Sequence, residues 1–285
     1  MAHDPLSLDP APAVSGVDEG ESVDDILAEL NAIQLDGLED NPLGDPDKVV
    51  ALMQEGNALI SAGQPDAALS KYDEALKFAE KEGDSDVFFN MGIAYKAKGE
   101  IDKAAAEYRR ALELVPDYAE AHNNLGNLLK DRKKYDEAIR HFEASIKVLP
   151  DNPSYHNNLG SVHAMKGNVN KAAVYFAKAV SLKPTYVDAR QNLGAAYMQQ
   201  GRFDAAEKEL GEAVKMAMGG MAYEEQRLAA AQAALAKAKT PEEQNVVRDE
   251  ISAAQRARKT AAQKYQRGMG LLQSLRARRG VPPAP

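Results

Sequence analysis

Four segments of this chain align at a spacing of 34 residues, and no other feature constrains its folding as much. They are SDVFFNMGIAYKAKGEIDKAAAEYRRALELVP from Ser85, AEAHNNLGNLLKDRKKYDEAIRHFEASIKVLP from Ala119, PSYHNNLGSVHAMKGNVNKAAVYFAKAVSLKP from Pro153 and VDARQNLGAAYMQQGRFDAAEKELGEAVKMAM from Val187. A fifth copy, VVALMQEGNALISAGQPDAALSKYDEALKFAE, precedes them from Val49 and is two residues longer before the next begins.

Each column of the alignment has a physical reason. Gly56, Gly92, Gly126, Gly160 and Gly194 fall in mid-helix, where glycine costs about 1 kcal/mol against alanine. Repeating that cost at one spacing predicts close approach of a second helix. Ala68, Ala104, Ala138, Ala172 and Ala206 are the matching small residues on that helix. Tyr72, Tyr108, Phe142, Phe176 and Leu210 are the bulky residues the pairs bury. Gly63, Gly99, Gly167 and Gly201 stand between the helices, where a left-handed cap is expected, and Lys133 takes that place in the third copy. Pro116, Pro150 and Pro184 stop the second helix, because a residue before proline resists the α region.

The small, bulky and proline columns together resemble the tetratricopeptide repeat family over residues 49–220. The resemblance implies an all-α fold, with antiparallel helix pairs stacked into a right-handed superhelical solenoid whose first helices line a concave groove. It implies a protein–protein interaction adaptor or scaffold that binds an extended or helical peptide of a partner. The last copy departs from the pattern by ending in Met218, Gly219 and Gly220 instead of proline, which leaves its exit direction open.

Just before each Leu-Gly or Met-Gly step stand Asn90, Asn124, Asn158 and Asn192, again 34 apart. Asparagine is a mediocre helix former, because its side chain competes for backbone hydrogen bonds. One explanation is that each Asn braces the neighbouring repeat. The other is a ladder of amides along the groove, since an amide offers donor and acceptor to both groups of an extended peptide backbone. This column is similar to the one in the repeat domain of O-linked N-acetylglucosamine transferases, although the residues after Gly220 are too few and too polar for a glycosyltransferase domain. Asn123, Asn157 and Gln191 directly precede the ladder, and Asn57 and Asn127 lie one turn along. Lys96 and Lys130 supply positive charge to the peptide-binding set or form an ordinary solvated face. A different subfamily grips chaperone tails with a clamp of basic residues. Here Met53, Glu120 and Asn124 stand at the basic places, so that role is disfavoured.

Charge and cysteine content exclude other classes. The net charge of −8 and pI near 5.3 argue against nucleic acid as the main partner. The absence of cysteine excludes disulfides and thiolate metal sites. No metal or other cofactor is expected: His122 and His156 occupy equivalent places one repeat apart, but this column usually packs. No Ser-His-Asp order, phosphate-binding glycine loop or carboxylate pair points to an enzyme. The N-terminus has no basic start and no apolar run, and no stretch nears eighteen apolar residues, so a cytoplasmic protein without a transmembrane segment is expected.

The flanks differ from the repeats. Residues 1–50 carry 13 acids against one lysine, and residues 1–48 read as a mostly disordered arm. Within it, residues 23–36 contain a short amphipathic motif with Ile26, Leu30 and Ile33 on one face, and this acidic arm is a candidate for docking back onto its own chain. Residues 221–239 read as a helix capping the repeats. Thr240, Pro241 and Glu243 open a long basic helix over residues 240–279, ahead of a proline-rich tail at 280–285. Met269, Leu272 and Leu275 give that helix a short apolar face suited to protein contact or self-association. An oligomerising structural scaffold is therefore the second functional reading, and a regulatory subunit of an enzyme the third.

Overall fold

The computed structural model describes residues 44–80 and 83–280, and the backbone divides between Pro116 and Asp117 into two compact units. The acidic arm with its 23–36 motif and most of the proline-rich tail lie outside the described residues.

The first unit holds α1 (Pro46–Ser61), α2 (Pro65–Leu76), α3 (Ser85–Lys98) and α4 (Ile101–Leu114). Helix α1 starts where the Asp45 carboxylate accepts from the Lys48 N–H at 3.1 Å, with Pro46 at the first helical position. Asp84 caps α3 in the same way, accepting from Asp86 and Val87 at 2.8 and 3.1 Å. Gly63 and Gly99 take the left-handed conformation after α1 and α3, at φ 73° and 83°. The mid-helix glycines have a different cause. A Cβ on Gly56 would stand 2.3 Å from the Tyr72 ring, and one on Gly92 would stand 2.5 Å from the Tyr108 ring. The bulky residue of each pair therefore demands the glycine, while Ala68 and Ala104 fill the fully buried core beside it.

One core position of this unit carries charge. Glu107 on α4 is fully buried, and the Arg110 guanidinium donates to its Oε2 at 3.3 Å while lying over the Phe88 ring at 3.9 Å. The other carboxylate oxygen, Oε1, is buried without a hydrogen-bond partner. Burial pushes the Glu107 carboxyl up to about 7, with Arg110 pulling the other way, and burial also raises Asp73.

The second unit holds α5 (Ala119–Asp131), α6 (Tyr135–Val148), α7 (Pro153–Met165), α8 (Val169–Leu182), α9 (Val187–Gln199), α10 (Phe203–Leu235) and α11 (Pro241–Arg278). A Cβ on Gly126, Gly160 or Gly194 would meet Phe142, Phe176 or Leu210 at 2.9, 2.8 and 2.6 Å. Lys133 adopts φ 62° where the other copies place glycine, so the turn geometry overrides the side chain's preference. Helices α6 and α8 end just ahead of Pro150 and Pro184, as the proline column predicts.

After the fifth pair the structure departs from the sequence expectation. No break separates Met218–Gly220 from a capping helix at 221–239: α10 continues as one helix to Leu235. Proline is absent there, and two glycines cost only about 1 kcal/mol each, too little to end a helix that has a packing partner. That partner is α11, whose start carries the Thr240–Glu243 capping box. It folds back along α10, burying Ala231 and Ala254. Near its end Leu275 is 1% exposed and packs with Met198, Ala206 and Leu210, while Leu272 covers the same cluster. Leu272 and Leu275 of the short apolar face expected to meet other proteins thus pack on this chain's own last repeat, while Met269 is half-buried. Arg279 fixes the end of α11 by pairing with Asp204 and with Glu207 at 2.7 Å.

Candidate functional site

The ladder residues of the second unit sit on the first helices α5, α7 and α9, and hydrogen bonds run from each helix to the one before. Asn158 Nδ2 donates to Asn123 Oδ1 at 2.8 Å, and Asn192 Nδ2 donates to Asn157 Oδ1 at 2.9 Å. Each bond links a ladder residue to the amide that precedes the previous rung. The 34-residue period and the one-residue offset together give these bonds a separation of 35. Asn124 is half-buried on α5. Asn127 accepts from Lys130 Nζ at 3.1 Å, so these two serve each other.

Asn157, Asn158, Asn192 and Lys130 line one open cavity of about 480 Å3, together with Ser161 and Arg267. Its apolar wall includes Met165, Val169 and Tyr186. An amide has two N–H donors and an acceptor oxygen, and the brace uses only one donor of Asn158 and Asn192. The remaining polar groups beside an apolar wall can hydrogen-bond a peptide backbone while packing its side chains.

Asn57, Asn90 and Lys96 belong to the first unit. Asn57 Oδ1 accepts from the Tyr72 hydroxyl at 2.7 Å, and Asn90 Nδ2 lies 3.8 Å from Met53 Sδ. Lys96 is exposed. The histidines divide differently from their sequence register. His122 meets His141, Nδ1 to Nδ1 at 2.9 Å, one ring donating and the other accepting. His156 Nε2 donates to the Pro150 carbonyl at 2.7 Å. His163 stacks on Tyr175 at 5.4 Å between ring centroids, and burial lowers its pKa. Among the described residues no group of three or more His, Cys, Asp or Glu is placed to hold a metal ion. No helix among them is long and apolar enough to cross a membrane.

Sequence reasoning missed Arg267. Its guanidinium Nη2 donates to Asn192 Oδ1 at 2.6 Å from α11, outside the repeats. Adjacent on the same helix, the Lys264 carbonyl accepts from Gln191 Nε2 at 2.5 Å and Lys264 Nζ pairs with Asp188 at 2.8 Å. Stepping 34 residues from Asn192 lands on Gln226 in α10, so repeat arithmetic cannot reach this helix.

Known proteins resemble parts of this chain. Residues 92–131 and 126–167 match a family model described as TPR repeat, and residues 163–223 match one described as tetratricopeptide repeat. Photosystem I assembly protein Ycf3 of Cyanophora paradoxa is 36% identical over 76 residues, which are 26% of this chain and 44% of that protein. The Ycf3 of Synechococcus sp. (strain CC9605) is 36% identical over 73 residues, 42% of its length. The chain thus spans less than half the length of these relatives. Among solved structures, MamA 41-end from Desulfovibrio magneticus RS-1 superposes with a TM-score of 0.54 at 24% identity, over 60% of this chain and 95% of that one. A crystal structure of MamA gives 0.52 at 25% identity, over 56% and 93%. These structures share the fold, and the repeat columns, the family models and the helix pairs agree that residues 92–223 of this chain are tetratricopeptide repeats.

Proposed function

We propose that this protein is a non-catalytic adaptor that holds an extended segment of a partner protein in the groove of its second unit, within a cytoplasmic multiprotein assembly. The observation that carries this reading is the cavity where Asn157, Asn158 and Asn192 stand beside an apolar wall. Amides at a regular spacing suit a backbone that repeats its own donors and acceptors, and they tolerate variation in the bound sequence. The partial likeness to a photosystem I assembly protein supports a role in bringing other proteins together.

The test is fluorescence anisotropy of pools of randomised peptides, acetylated and amidated at their ends, against the full chain. Wild type should retain a subset of the pool. Asn158→Ala/Asn192→Ala should weaken that binding by about tenfold or more, the loss expected from two hydrogen bonds of about 1 kcal/mol each. Equal binding by the double variant, with helix content unchanged by circular dichroism, would reduce these amides to braces and remove the groove reading.

A further inference from the structure

We propose that Arg267 makes the groove selective for an acidic side chain in the segment it holds, an inference that rests on the groove reading above. Helix α11 lies against α9 where the first helix of a following repeat would lie. It is held there by Gln191 donating to the Lys264 carbonyl, by Lys264 on Asp188, and by Gly268, where a Cβ would meet Val214 at 2.7 Å and Gln191 Nε2 at 3.0 Å. At the two junctions between repeats in this unit the incoming rung is an asparagine: Asn158 onto Asn123 and Asn192 onto Asn157. At the junction with α11 the group entering the groove is Arg267.

That exchange changes what the groove recognises. An asparagine rung offers donors and an acceptor, whereas a guanidinium only donates. Arg267 also takes one of the two lone pairs of the Asn192 oxygen, so a ligand N–H shares that acceptor with the guanidinium. Arg267 is exposed, and its planar fork matches a carboxylate in two parallel bonds. The local charge points the same way. Asp188 on the cavity wall is paired with Lys264 and Lys130 lies 3.8 Å from Asp131, whereas the Arg267 guanidinium meets the neutral Asn192 amide, so its charge is the one left for a ligand. The neighbouring amides and apolar residues fit a peptide, and the chain's overall charge of −8 opposes a polyanion such as nucleic acid. The carboxylate is therefore that of an Asp or Glu side chain within an extended segment.

Two pools of end-capped peptides, alike except for Glu or Gln fixed at one position, test this by anisotropy on the full chain. Wild type should bind the Glu pool about tenfold more tightly than the Gln pool, the scale of a charge-assisted bond over a neutral one. Arg267→Gln should bring the two within about twofold of each other, and Arg267→Lys should fall between. The acidic preference should also shrink as salt rises. A Glu-over-Gln ratio unchanged in Arg267→Gln overturns the assignment. Equal binding of both pools by wild type, with both lost in Asn158→Ala, overturns the acidic preference and leaves the groove standing. Failure of wild type to bind either pool overturns the groove and this inference together.

Discussion

Glycine has opposite meanings in the repeat pairs and in the α10–α11 hairpin. In the pairs, Gly126, Gly160 and Gly194 lie under a ring or branched side chain closer than a Cβ can tolerate. In the hairpin, Gly211, Gly219 and Gly270 have nothing within 4 Å of where a Cβ would stand, whereas Gly268, at the contact with the last repeat, is covered by Val214 at 2.7 Å. Both sets pay the same backbone entropy, but only the first gains a packed aromatic or leucine in return. The period alone does not distinguish them: Gly99 and Gly167 recur with open space because their turns need a positive φ, and Gly268 does not recur, yet a Cβ there would stand 2.7 Å from Val214.

The strongest way to break that comparison is to remove the most deeply buried apolar side chain between the hairpin and the last repeat. Leu275→Ala should cost about 2–5 kcal/mol by urea denaturation, since it empties a fully enclosed site. A loss well under that range would mean that α11 is held by its polar contacts instead. Gly160→Ala comes next, with an expected loss of about 1–3 kcal/mol as the Cβ collides with Phe176. An unchanged melting temperature there would show that the ring moves freely and that the column is not obligatory.

A repeat pair with charge in its core sharpens the contrast further. Glu107 has its pKa raised in the fold to about 7, so its contribution to stability is complete below the ordinary glutamate range and is lost as pH climbs through that value. Above it the folded state must hold a buried charge that Arg110 only partly offsets. Thermal midpoints from about pH 5 to about pH 8 should fall in wild type and stay flatter in Glu107→Gln, across the window in which the folded and unfolded carboxyl differ. Parallel profiles would remove Glu107 as the cause. The smallest effect is the mirror image of Gly160→Ala. Gly219→Ala should raise stability by up to about 1 kcal/mol, because α10 is helical there and the space is open. A loss at Gly219 would erase the distinction between the two regions.

The repeat pairs were legible in the sequence because their constraints are local and periodic. The left-handed positions at Gly63, Gly99, Gly167, Gly201 and Lys133, the covered glycines and the helix stops ahead of proline all follow from residue type and spacing. The continuation of α10 was not legible. Two adjacent glycines look like a terminus until a second helix is placed beside them, and that helix begins only at Pro241. The candidate site was half legible. The spacing put Asn158 and Asn192 in one column, but whether an amide braces or binds depends on its hydrogen bonds, which involve Asn123 and Asn157 one repeat earlier. Arg267 was invisible because its place beside Asn192 follows from a fold-back 75 residues long, with no periodic sign.

The bonds between successive asparagines bear on the speed and selectivity of recognition. A loose polar side chain surrenders about 0.5–1.5 kcal/mol of rotamer freedom when a ligand fixes it. Asn158 and Asn192 are already held by the preceding helix, so that loss falls in folding and not in binding. A groove set in advance rewards a segment that matches its spacing and gives little to one that does not, because its amides cannot turn to follow a misfit.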